Sequence, residues 1–158
     1  LRLFILYFRI SNRMEVKLGL GLEEIEFGMK LPQVEVLLGN FDEHLIDEDD
    51  SNKLIYVFNE KKIRLSFYKD AENRLGYIET SNPSMTFEGI QIFDKNIDFV
   101  KKEVFGKRIE SWESDKLFSF TSHFNEEYWI SLHSEYEKVT KLELGVPFLD
   151  NGKDYKWP

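Results

Sequence analysis

The triplet Phe58-Asn59-Glu60 returns 66 positions later as Phe124-Asn125-Glu126, and other features return with it. At the same offset Phe27 falls on Phe93, Val34 on Val100 and Ile78 on Leu144. Matches that share one offset and one order are the mark of an internal duplication, which constrains a fold more than any single element does. The expected architecture is α+β: two diverged repeats, about 22–84 and 85–148, each a short helix followed by a three-strand antiparallel meander. A chain of 158 residues buries about 70% of its unfolded surface, enough for one core and one domain.

Local signals place the elements. Pro32 presets the φ of a first helical turn and Gly39 ends the helix, with Leu31, Val34, Leu37 and Leu38 at helical spacing between them. In the second half Asn96 is the expected N-cap, with Ile97, Val100, Val104 and Phe105 on one face before Gly106, and Lys101, Lys102 and Glu103 toward water. Strand-like runs follow each helix, at 54–58, 63–68 and 75–80, then at 117–121, 128–133 and 139–144. Alternation is clearest where Ile63, Leu65 and Phe67 interleave with Arg64, Ser66 and Tyr68. Short connections such as Asn59-Glu60-Lys61 allow only antiparallel neighbours, since a parallel pair needs a long crossover. Two such units joined edge to edge make one sheet with both helices on one face and the other face open. The tail, 147–158, reads as an irregular end.

Residues 1–10, LRLFILYFRI, are too few for a bilayer span and lack the small-residue cleavage site of a signal peptide. Because Met14 opens an ordinary-looking stretch, 1–13 is expected to be upstream sequence, with an extra packed strand or helix as the alternative. No membrane span is expected.

Composition removes several chemistries. With no cysteine there is no disulfide framework, thiolate nucleophile or Cys-ligated metal. The net charge of −8 opposes a phosphate backbone, so nucleic acid is not an expected partner. His44, His123 and His133 are far apart and form no ligand pair, so no metal is expected. No Gly-x-Ser-x-Gly elbow occurs, and Gly19-Leu20-Gly21 lacks the third glycine of a dinucleotide site. No catalytic residue and no cofactor is therefore assigned. Asp42, Glu43, Asp47, Glu48, Asp49 and Asp50 crowd into 41–52, which contains no Lys or Arg. The run lacks the central Gly and alternate oxygens of a calcium loop, so it reads as a solvated loop or as a patch that steers a basic partner.

The stretch Phe27-Gly28-Met29-Lys30-Leu31-Pro32-Gln33-Val34-Glu35-Val36-Leu37-Leu38-Gly39 resembles the helical motif of small outer-membrane assembly lipoproteins and of β-lactamase-inhibitor-like proteins. Those families place the motif before an antiparallel meander, and two copies resemble the tandem inhibitor-type fold. The second copy, 93–106, lacks the Gly-Met pair, and the absence of Cys speaks against the lipoprotein role. What the resemblance implies is an acidic cytoplasmic protein similar to bacterial immunity proteins.

On the open face, Trp129 and His133 should emerge opposite Ile130 and Leu132, as Arg64 and Tyr68 do in the first repeat. Trp, Tyr and Arg dominate interface energetics because each joins a large contact area to a polar handle. The expected function is non-enzymatic binding of a protein partner, as an inhibitor or immunity-type protein. Arg64, Tyr68, Trp129 and His133 would hold the partner, and Asp47, Glu48, Asp49 and Asp50 would steer it. The alternatives are a structural or envelope-associated assembly module and an enzyme of unrecognised type.

Overall fold

The computed structural model describes residues 14–158, so the expectation for 1–13 lies outside the described residues. Strand-forming sequence dominates. After β1 (Met14–Lys17), β2 (Gly21–Leu22) and β3 (Ile25–Glu26) comes helix α1 (Leu31–Leu38). Four strands follow it: β4 (Glu43–Ile46), β5 (Lys53–Phe58), β6 (Ile63–Tyr68) and β7 (Arg74–Thr80). Then β8 (Met85–Phe87) and β9 (Ile90–Gln91) lead to α2 (Ile97–Phe99), which runs on as a π turn over Val100–Val104. The chain ends with β10 (Glu113–Lys116), β11 (Thr121–Asn125), β12 (Ile130–Glu135), β13 (Lys138–Gly145) and an irregular tail.

Among the described residues eight strands form one antiparallel sheet in the order β10-β11-β12-β13-β7-β6-β5-β4, so β13 pairs with β7 where the strands of the two halves meet. The α+β class holds, with the sheet dominant. Each half holds four strands after its helix rather than three. β4 lies inside the stretch expected to be a solvated loop, and it forms because His44, Leu45 and Ile46 pair with β5 between the acids. In the second half the 117–121 run is largely a hairpin turn, closed by the Leu117 amide donating to the Phe120 carbonyl at 2.9 Å. The strands it joins, β10 and β11, flank it. The 128–133 run starts two residues late, because Trp129 is in the left-handed region at φ 51° and its amide closes a turn on Glu126.

A second, five-stranded sheet, β3-β2-β1-β8-β9, was not legible in advance, and β1 and β8 in it are parallel. Its strands run two to four residues, too short for an alternation to register.

Both helices lie on one face of the large sheet. α1 borders Leu54, Tyr56 and Phe67, while Lys101 of the π turn reaches His123 of β11. Val34 and Val100, matched by the repeat offset, are both fully buried in the same core. Asn96 caps α2 as expected, its side-chain oxygen accepting from the amides of Asp98 and Phe99. The π turn is closed by the Phe105 amide on the Val100 carbonyl, and Phe105 stacks on Phe87 with centroids 4.6 Å apart, which ties the small sheet to the helical layer. Among the described residues no helix is long and apolar enough to cross a membrane.

Candidate functional site

The second face of the large sheet is open only in part. Its alternation breaks at a bulge between Ser66 and Phe67, where Gly76 of β7 is left between paired positions. Gly76 has no side chain, so the Tyr68 ring lies on it. A Cβ there would stand 2.2 Å from the ring. Gly145 does the same for Trp129, whose Cδ1 would stand 2.2 Å from an added Cβ. The tail then closes over both rings: Phe148 meets Trp129 at 5.1 Å and Tyr155 meets Tyr68 at 5.2 Å, with Phe148 stacked on Tyr155. The Tyr155 hydroxyl donates to the Asp70 carboxylate at 3.3 Å and anchors the tail.

The expectation that Tyr68 and Trp129 emerge on an open face is therefore corrected, since the tail packs over both rings. Tyr68 is only 8% exposed, and Trp129 is half-buried between Phe124 and Phe148. The tail residues satisfy the rings internally, and burial, with Tyr155, Asp50 and Asp70 nearby, pushes the Tyr68 hydroxyl well above its usual range. Ser66, expected on the open face, is buried as well.

Arg64 does face outward, His133 lies on the same face but is largely covered, its side chain 12% exposed, and three residues not singled out in advance join them. Register sets Arg64 opposite Glu79, Glu79 opposite Glu143, and His133 opposite Lys141, on four adjacent strands. Lys141 Nζ lies 2.7 Å from Glu79 and 4.0 Å from Glu143, His133 Nε2 lies 2.8 Å from Glu143, and Arg64 Nε lies 3.9 Å from Glu79. Two carboxylates placed directly across a sheet repel each other. Lys141 between them offsets that repulsion. Burial by itself would raise the Glu143 carboxyl, but the hydrogen bond donated by His133 and the charge of Lys141 help outweigh it, holding the group at about 2. The Tyr77 hydroxyl beside this pair is pushed upward by burial and by both carboxylates, and Lys53 lies over its ring at 4.7 Å. Phe120 stacks on His133 at 4.5 Å. At the Arg64 end the ladder opens into a cavity of about 430 Å3 lined also by Lys62, Asn59 and Ser81.

Glu143 carries a pH prediction. A carboxyl held below its ordinary value of 4.5 contributes stability that is fully present above that pH and is lost as pH falls toward about 2. After allowing for partial exposure, that contribution is on the order of 2 kcal/mol. Urea unfolding of the parent and of Glu143→Gln should show a stability gap near pH 6 that closes by about pH 2. A gap that stays constant over that range would mean the carboxylate charge is not its source.

The acidic run divides. Asp47 accepts from the amides of Asp49 and Asp50, and Asp50 accepts from the Asn52 amide, so these two build the β4–β5 turn. Glu48 and Asp49 project into solvent. Asn52 bonds Asp70, which brings the turn to the Tyr68 and Tyr155 end of the face, away from Arg64. His123 is on the helical face, bonded to Ser114 and Ser134 at 2.8 and 2.9 Å, and burial followed by the Lys101 charge lowers its pKa. His44 stacks on Tyr56. Among the described residues no three His, Asp or Glu side chains gather as metal ligands.

Alternation in 75–80 and 139–144 was the available signal for Glu79, Lys141 and Glu143: Glu143 stands between Leu142 and Leu144, while Glu79 and Lys141 each have one apolar neighbour and one threonine. Which strands lie side by side was not in that signal.

Neither a family model nor a curated protein sequence matches the chain. Among solved structures the fold is similar to an extracellular protein containing a SCP domain from Bacillus anthracis str. Ames, with a TM-score of 0.51 at 9% identity. The likeness covers 75% of this chain and 43% of that one, so the chain spans less than half the length of this structural relative, and what they share is fold.

Proposed function

We propose that the protein is a non-enzymatic binding module, an inhibitor or immunity-type protein, that holds a protein partner on the uncovered part of its large sheet. The observation that carries this reading is the ladder of Arg64, Glu79, Lys141, Glu143 and His133 across four adjacent strands. Mixed charge held in a set geometry on a sheet selects a partner by complementarity. The exposed acids Glu48 and Asp49, with Asp47 and Asp50 behind them, favour a partner with basic character. The same reading takes the fold as a diverged tandem. It is supported by a helix followed by a four-strand meander in each half, meeting through β7 and β13.

The test begins with capture of the partner on the immobilised protein and continues with stopped-flow kinetics. Replacing Asp47, Glu48, Asp49 and Asp50 by Asn or Gln should slow association several-fold at low salt and leave dissociation nearly unchanged, because exposed charge acts at a distance and is screened. Arg64→Ala combined with His133→Ala should speed dissociation about tenfold, equivalent to about 1.4 kcal/mol. Dissociation at the parental rate from a folded double variant would remove the sheet face as the contact.

A further inference from the structure

The two outer strands of the large sheet differ. β10 carries Glu113, Ser114, Asp115 and Lys116, a charged run of the kind that blunts a free edge. β4 has Leu45 and Ile46, the latter 65% exposed, and neither a Lys, a Pro nor a bulge. Just before it in the chain, Val36 of α1 is 84% exposed, and Leu37 and Phe41 are exposed as well. An outer strand leaves every second residue's backbone N–H and C=O free for another strand, and here apolar side chains flank them. Acids close both ends: Asp42 and Glu43 before, Asp47, Glu48 and Asp49 after.

We propose that the β4 edge is a docking site for an extended segment of a protein partner in which lysine or arginine alternates with apolar residues. The segment adds a ninth strand to the sheet. Main-chain bonds hold it, its apolar side chains, all on one face of the added strand, cover Ile46 on that face of the sheet, and its cations meet the acids at the strand ends. A second copy of this chain does not fit. Antiparallel self-pairing would set Asp42 and Glu43 of one copy against the acids at 47–49 of the other, and like charges across a pair repel. This surface is the rim of the sheet rather than its face, and it stands independently of the reading above.

The probe is a short synthetic peptide of alternating lysine and valine, titrated into the full chain and followed by backbone amide NMR, with lysine–serine and glutamate–valine peptides as controls. The lysine–valine peptide should shift the amides of residues 41–50 and slow their hydrogen exchange, with affinity falling several-fold at high salt. The lysine–serine and glutamate–valine peptides should bind at least about tenfold more weakly. Ile46→Lys, at an exposed position, should weaken binding at least tenfold while the rest of the spectrum is retained. Asp47→Asn with Asp49→Asn should weaken it less and reduce the salt dependence. Absence of shifts at millimolar peptide would overturn the proposal. So would shifts centred on Arg64 and His133, equal binding of the glutamate–valine peptide, or self-association through 41–50 without peptide.

Discussion

Phe105→Ala is expected to lower the unfolding free energy by about 3–5 kcal/mol, the range for truncating a buried aromatic ring. Phe105 is fully buried at the point where three parts of the fold meet. Its ring stacks on Phe87 of the small sheet and meets Trp112 edge-on at 6.0 Å. Its amide closes the π turn, and its carbonyl accepts from the amides of Arg108 and Ile109. Those backbone bonds survive the substitution, so the loss is one of packing, and a cavity bounded by the Phe87 and Trp112 rings collapses poorly. Urea unfolding followed by far-ultraviolet circular dichroism measures it. A loss below about 1 kcal/mol would mean that the small sheet and the helical layer are not joined through this ring.

Gly145→Val is expected to cost about 2–3 kcal/mol and to release the tail, by overpacking. Valine ordinarily favours a strand position by a few tenths of a kcal/mol up to about 1. Here that gain is outweighed, because an added Cβ falls 2.2 Å from Trp129 and 3.1 Å from Tyr77. Backbone conformation is no obstacle, since Gly145 is not among the residues at positive φ. The Trp129 ring must therefore turn away from Phe148, and the Phe148–Tyr155 stack loses its support. Tryptophan emission should move to the red, and limited proteolysis should cut within 147–158 at a lower protease concentration. Emission unchanged from the parent would show that the ring does not rest on Gly145.

Much of the large sheet was legible. Pro32, Gly39 and Asn96 marked helix ends through the backbone geometry each imposes, and the burial of Val34, Val100, Val104 and Phe105 followed from helical spacing. Alternation located β5, β6, β7, β12 and β13 to within two residues. β4, β10 and β11 were missed, and the two outer ones, β4 and β10, for one reason. As outer strands they bury little, so their sequences, Glu43-His44-Leu45-Ile46 and Glu113-Ser114-Asp115-Lys116, carry no apolar period.

By itself the sequence determined the inner antiparallel strands, the helix ends with their buried valines and the absence of any thiol chemistry, because these depend on residue spacing or composition over a few positions. Only the tertiary structure decided what the second face presents. Tyr68 and Trp129 alternate outward as well as Arg64 does, yet two glycines on neighbouring strands admit their rings and the tail closes over them. The carboxylates of Glu79 and Glu143 lie 64 positions apart in the chain and become neighbours only because β7 pairs with β13 in one register. Periodicity along a strand says which residues share a face, while the energy of a face depends on what lies across from each residue, and long-range pairing alone sets that.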